Sequence, residues 1–283
     1  MGAGMGRTGR RTCGAVFAYD FMANAVAAGT IVAVVAGTVG YALVLRGQAF
    51  AGHALAHVGF TGATGAILVG LSPLWGLVLM TVAGGIGMGF LGERVGERDV
   101  AIGIVLSVAL GFGLLFLHFF TASATQATAL LFGNVLGVEA DTIWTLLGLG
   151  ALSLAALAAI GRPLLFASLQ PELAEARGVP TRLVSVLFLA VVGLAVAECV
   201  QIVGVLLVFA LMVGPAAAAQ CWTGRVLPGI GLSVAIAVGE TWLGLALADW
   251  TDWPVSFWIS ALGAAVYLTV YLAACLPGWR AGR

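Results

Sequence analysis

The sequence predicts an all-α protein that crosses a membrane about nine times, in spans of about 20 residues each. Hydrophobic residues make up 61% of the 283 residues and only 8% are charged, whereas a soluble domain carries about 25% charged residues. Apolar runs long enough to cross a bilayer recur along the whole chain. The lipid bilayer is therefore the expected environment. The net charge is zero, which gives no reason to expect a nucleic-acid partner.

Polar stretches separate the predicted spans. A charged run at residues 92–99 divides the third span from the fourth, and residues 121–141 predict a segment that lies on the membrane surface or enters it partway. Residues 183–219 would form a helix about 55 Å long, too long for a hydrocarbon core of about 30 Å. We place a break at the polar residues 198–201. The predicted spans are residues 21–45, 51–71, 74–91, 100–120, 142–160, the two parts of 183–219, 227–248 and 255–276.

Residues 19–283 form one predicted transmembrane domain, after a leader at residues 1–18 that we expect to be flexible. Lys and Arg mark the cytoplasmic ends of membrane spans. Most arginines agree with nine spans, an external N-terminus and a cytoplasmic C-terminus, whereas the three arginines of the leader disagree.

Two of the three histidines lie just inside the second predicted span. His53 and His57 are four residues apart, so a helix presents them on one face. Ionisable side chains inside a membrane are costly and usually functional, so the pair predicts a metal site on a transport path. The alternative is that both histidines hydrogen-bond to the backbone or to lipid head groups. Two imidazoles are too few for a complete zinc site, which suits an ion that must be released.

Two carboxylates interrupt apolar sequence. Glu240 lies inside the eighth predicted span, where it could contact a transported metal or could be a neutral or paired carboxyl within the bundle. Glu198 lies at the predicted break within residues 183–219, and we expect it to be a solvated loop carboxylate rather than part of an outer vestibule.

A short helix outside the bilayer is predicted near residues 171–178. Pro171 suits the first turn of a helix and Gly178 the position just past its end. Glu172, Glu175 and Arg177 give this segment a charged surface.

Five stretches, in order, resemble the permease subunits of ATP-binding-cassette (ABC) importers for zinc, manganese or iron, the ABC-3 family. Residues 46–57 are similar to the family's Gly-Asp-Ala-x-Ser-His element, which follows the basic end of its first span. Residues 98–104 are similar to its Glu-Asp-Thr-Ala-Ile-Gly helix entry. Residues 203–217 are similar to its Val-Gly-x-Leu-Leu-Val stretch, which ends in Pro-Ala, and residues 131–134 and 170–178 also fit.

The resemblance implies the fold of a type II ABC importer permease that works as a homodimer in the bacterial plasma membrane. A cytoplasmic ABC ATPase would dock on the short helix through Glu172, Glu175 and Arg177, and an external solute-binding protein would deliver the metal. No permanently bound cofactor is implied. His57 matches the family's metal-contacting histidine, whereas His53 stands where the family often has Asp. Because imidazole suits zinc and oxygen ligands suit manganese, this departure favours zinc over manganese or iron.

The chain is not expected to be an enzyme. It has no GxxxxGK[ST] loop to hold ATP phosphates, so the energy for transport must come from another subunit or an ion gradient. An ion-coupled secondary transporter is the alternative, but it predicts paired inverted repeats, and no convincing repeat is visible. A non-transporting scaffold would leave the histidine pair and Glu240 unexplained.

Overall fold

The computed structural model describes residues 20–91, 95–119, 130–133 and 135–275, and the regular structure within these ranges is helical. The leader at residues 1–18 lies outside the described residues. A 3₁₀ turn at Val135–Gly137 precedes the fifth helix. The α-helices are α1 Asp20–Leu45, α2 Ala49–Leu68, α3 Pro73–Leu91, α4 Val95–Phe119, α5 Ala140–Leu169, α6 Pro171–Ala176, α7 Thr181–Val203, α8 Val205–Trp222, α9 Val226–Thr251 and α10 Val255–Cys275.

Eight helices within the described ranges are long and apolar enough to cross a membrane: all of the ten except α2 and the short α6. The chain is therefore an all-α, multi-pass protein, as the composition predicts. The second predicted span corresponds to α2, which is 20 residues long but less apolar than the others. A helix shielded by its neighbours needs no apolar surface toward lipid, because only lipid-exposed positions require it.

The α2 helix is enclosed by other helices. It packs against α3, α4, α7 and α8, and small residues bring the helix axes close together. A Cβ atom added to Gly62 of α2 would meet the backbone oxygen of Gly76 in α3, and the reverse is also true. Such glycine contacts are a common means of packing helices in membranes.

Contacts between helix ends define one end of the bundle. Gln220 in α8 donates a side-chain hydrogen bond to the Tyr41 carbonyl at 3.0 Å, and Ser233 in α9 donates one to the Gly37 carbonyl at 2.8 Å. The end of α1 therefore lies beside the end of α8 and the start of α9, as in an alternating up-and-down arrangement. The arginine pattern predicts that this end is cytoplasmic.

The break within residues 183–219 lies at Gly204 and not at residues 198–201, so that part of the prediction is wrong. Gly204 has φ +84°, and its backbone packs against Gly133, which has φ +78°. Glycine adopts positive φ without steric cost, and this turn requires it. The helix continues past Glu198 because its backbone groups need intrahelical partners in the bilayer.

Two helices continue through an internal proline, although proline usually ends or kinks a helix. The α5 helix continues through Pro163 to Leu169, and α8 continues through Pro215 to Trp222. The short helix is confirmed as α6: Pro171 lies in its first turn and Gly178, with φ +75°, follows its end.

Candidate functional site

The two histidines of α2 are in direct contact. The ring centroids of His53 and His57 are 4.8 Å apart, and the ring planes meet at 82°. The His53 ring also contacts Phe209 of α8, with centroids 5.4 Å apart, and stacks near Phe50 at 6.2 Å. The histidine pair predicted from its spacing is therefore a contacting pair.

The histidine pair occupies the only open face in the central part of α2. From Ala51 to Thr64, every residue of the helix is buried except His53 and His57, which are partly exposed. Phe209 borders this face and is 37% exposed. We call the surface formed by Phe50, His53, His57 and Phe209 the histidine face.

The histidine face offers two nitrogen ligands of the kind that divalent transition metals prefer. Within the described residues, no group of three or more His, Cys, Asp or Glu side chains is placed to hold a metal ion. The face can therefore supply only part of a coordination shell, and further ligands must come from another molecule or from water.

Glu240 lies elsewhere in the bundle. It is 3% exposed and faces α10, where a Cβ atom added to Gly263 would lie 3.3 Å from its Oε2. The α9 helix that carries Glu240 packs on α1, α8 and α10, and α2 is not among its extensive contacts in the described part of the chain. Both carboxyl oxygens are buried without a hydrogen-bond partner among the described residues.

Glu198 is a fully buried residue of α7, so its prediction as a solvated loop carboxylate is wrong. Its exposure is 0%, and a Cβ atom added to Gly150 of α5 would lie 3.0 Å from its Oε1. Buried oxygens of Ser153, Glu198 and Gln201 have no hydrogen-bond partner among the described residues. The sequence contained a signal for this arrangement, because Gly150 and Ser153 are small residues that share a face of α5.

The charged residues of the short helix are accessible. Glu172, Glu175 and Arg177 are exposed, whereas Ala174 is buried and anchors α6 against the bundle. The Thr181 hydroxyl donates a hydrogen bond to Glu175 Oε1 at 3.4 Å, which ties α6 to the start of α7.

Comparison with protein families decides the class. The model of the ABC 3 transport family matches residues 18–274. The chain belongs to the ABC 3 transport family. It is therefore a multi-pass membrane permease of the ABC transporter class, located in the bacterial plasma membrane.

Relatives and a solved structure agree with this assignment. The chain is 31% identical over 212 residues to the manganese transport system membrane protein MntC of Halalkalibacterium halodurans, covering 74% of this chain and 72% of that protein. It is 29% identical over 252 residues to the manganese import system permease protein ScaB of Streptococcus gordonii, covering 89% and 88%. A chain in the structure of PsaBC from Streptococcus pneumoniae in complex with Fab superimposes with a TM-score of 0.81 at 27% identity, covering 93% and 94%.

Proposed function

We propose that this chain is the membrane permease of an ABC importer for a divalent transition metal, in which His53 and His57 bind the metal transiently. The observation that supports it best is the burial pattern of α2, which leaves only the two contacting imidazoles open between Ala51 and Thr64. Histidines that only hydrogen-bonded to the backbone would not need to share the one open face between Ala51 and Thr64.

The histidine face is proposed to point toward a second copy of the permease. Two imidazoles from each copy would provide four ligands, the number usual for zinc. A site shared between two copies would form or separate as the copies move. That arrangement lets the metal be bound and then released, which a complete site within one subunit would oppose.

Glu240 is proposed to contact the metal at a later step of transport. The carboxyl is enclosed between α9 and α10, so an ion could reach it only after these helices separate. A buried carboxyl without a partner is costly, and a passing cation would relieve that cost.

A cytoplasmic ABC ATPase and an external solute-binding protein are proposed as partners. The exposed charges of α6 form the docking surface for the ATPase: Glu172, Glu175 and Arg177. The α6 helix lies between the ends of α5 and α7, so movement of the docked ATPase would act on two spans at once.

The relatives and the ligand chemistry of His53 favour different metals. The named relatives carry manganese, whereas the imidazole of His53 favours zinc on ligand chemistry. The prediction of zinc therefore depends on His53 alone, and a single substitution tests it.

Metal uptake by the assembled importer tests the proposal. The permease is produced with its ATPase and solute-binding protein, and cellular manganese, zinc and iron are measured. We expect ATP-dependent accumulation of at least one metal. His53→Asp is expected to shift preference toward manganese, because it replaces a nitrogen ligand by oxygen. Wild-type cells that accumulate none of the three metals would contradict the proposed function.

Charge reversal tests the docking surface. Glu172→Lys with Glu175→Lys is expected to weaken copurification of the ATPase about tenfold, because reversed charges oppose the partner surface. The matched control reverses the exposed Glu139 and Asp141, which lie at the opposite, predicted external end of α5. Equal copurification of both variants would exclude docking through Glu172 and Glu175.

A further inference from the structure

We propose that Arg46 links the ATPase-docking helix to the histidine face, so that movement of α6 is transmitted to the metal site. This inference rests on the proposed function and adds to it a positioning residue that contacts neither metal nor ATPase. Arg46 follows the last residue of α1, in the turn that leads into α2.

The Arg46 guanidinium contacts α5, α7 and the residue that precedes α2. It donates hydrogen bonds to Ser168 Oγ at 3.1 Å and to Ser185 Oγ at 2.7 Å. Its Nε donates to Gln48 Oε1 at 3.3 Å. The guanidinium carbon also lies 5.3 Å from the ring centroid of Phe188, within the range of a cation–π contact.

The two serines lie on the helices that flank α6. Ser168 is in the last turn of α5 and Ser185 is in the first turns of α7. One side chain therefore bonds both ends of the α5–α6–α7 connection. Any displacement of α6 that separates or rotates these ends must move Arg46 or break its hydrogen bonds.

The third partner connects Arg46 to the metal site. Gln48 precedes α2, is buried, and accepts a backbone hydrogen bond from Ala51 at 2.9 Å. Its own backbone N–H donates to the Leu43 carbonyl at 3.0 Å. His53 follows in the second turn of the same helix. The path from α6 to the histidine face is thus short and continuous.

Arginine suits this position better than lysine. Its planar guanidinium directs several donors outward at fixed angles and stacks on aromatic rings. The Ser185 and Phe188 side chains that surround it are buried, and hydrogen bonds to a charged donor are strong in such surroundings. A lysine ammonium would provide a point charge without that geometry.

The test separates coupling from assembly. The complete importer is prepared with Arg46→Gln, and with Arg182→Gln as the matched control. Arg182 lies at the same end of the bundle and its guanidinium is 5.5 Å from the Phe90 ring centroid, but that ring belongs to α3 rather than to the α1–α2 turn. Three quantities are measured: copurification of the ATPase, metal taken up per ATP hydrolysed, and hydrogen–deuterium exchange of residues 49–57 with and without ATP and vanadate.

Arg46→Gln is expected to retain ATPase binding and hydrolysis while uptake per ATP falls about tenfold, in the range of ordinary coupling between sites. The nucleotide-dependent change in exchange at residues 49–57 is expected to disappear in this variant and to persist in Arg182→Gln. An unchanged exchange response together with unchanged uptake per ATP in Arg46→Gln would overturn the inference.

A second variant tests the same contacts in case the importer with Arg46→Gln does not assemble. Ser168→Ala with Ser185→Ala keeps Arg46 and removes its two acceptors on α5 and α7, and the same loss of coupling is expected. Normal coupling in this double variant would also overturn the inference. The exchange measurement needs no metal, so it tests the role of Arg46 even if the wild-type importer transports no metal. Absence of metal transport by the wild type would contradict only the proposed function.

Discussion

The histidine face and the buried carboxyls are two different placements of ionisable side chains within membrane helices. His53 and His57 lie on the one open face of α2 between Ala51 and Thr64 and contact each other, and His53 also contacts Phe209. Glu198 and Glu240 are 0% and 3% exposed, and each faces a glycine of a neighbouring helix. The two histidine side chains are therefore partly exposed, whereas both carboxyls are buried.

We propose that the histidines bind the metal at rest and that Glu240 contacts it only during transport. A metal site in a transporter must be reached and left, which requires exposure and an incomplete ligand set. An enclosed carboxyl instead needs space, and Gly150 and Gly263 provide it. Polarity within a membrane span therefore does not by itself identify the binding site; accessibility must be known as well.

The largest effect is expected at His57. His57→Ala should reduce metal uptake by more than about tenfold, because even partners that only orient a metal ligand contribute about 10–100-fold. Uptake of radioactive or isotopically labelled metal by the complete importer measures it. Phe209→Leu serves as a control that alters the border of the histidine face without removing a ligand. Normal uptake with His57→Ala would remove the histidine face from the transport path.

An intermediate effect, on stability, is expected at Gly150, which packs against the Glu198 carboxyl. Gly150→Ala should be less stable than Gly148→Ala by about 1–3 kcal/mol, the usual cost of overpacking, because the new Cβ would lie 3.0 Å from Glu198 Oε1 and 3.1 Å from Val35 Cγ2. Thermal unfolding in detergent measures the change. Gly148→Ala is the matched control, since a Cβ there meets no atom within 4 Å. Equal stability of the two variants would show that Glu198 is not confined by α5.

The smallest effects are expected from neutralising the carboxyls one at a time. Glu198→Gln should leave uptake unchanged and alter stability by less than about 1.5 kcal/mol, as volume-conserving substitutions do. Glu240→Gln should leave metal binding at rest unchanged but slow uptake a few-fold, because its contact with the metal is proposed only during transport. Measurements of binding and uptake on both variants make the comparison. Equal uptake by the two would contradict a role for Glu240 in the path.

Much of the fold could be predicted from the sequence, because long apolar runs follow directly from the cost of exposing polar groups to lipid. The helix boundaries after Leu45 and around α6 agree with the structure, since Pro171 and Gly178 act locally. The break at Gly204 could not be predicted in the same way. It depends on the backbone of Gly133, which is distant in the chain, whereas the polar residues at 198–201 suggested a nearer loop.

The histidine pair was predictable as a pair because helix periodicity alone places residues four apart on one face. The exposure of the pair could not be predicted, because only the packing of α3, α4, α7 and α8 around α2 determines which face of α2 stays uncovered. The same limit applied to Glu198, whose surroundings are supplied by α5.

The sequence by itself determined that this protein is a bundle of membrane helices, that two imidazoles share a helix face, and that a short capped helix lies between two spans. Each of these follows from local chemistry within one helix or turn. Only the tertiary structure decided which polar groups can be reached, where the chain turns after α7, and that Arg46 joins the ends of α5 and α7 to the start of α2. Those properties arise from contacts between helices far apart in the chain, and a local sequence pattern carries no record of them.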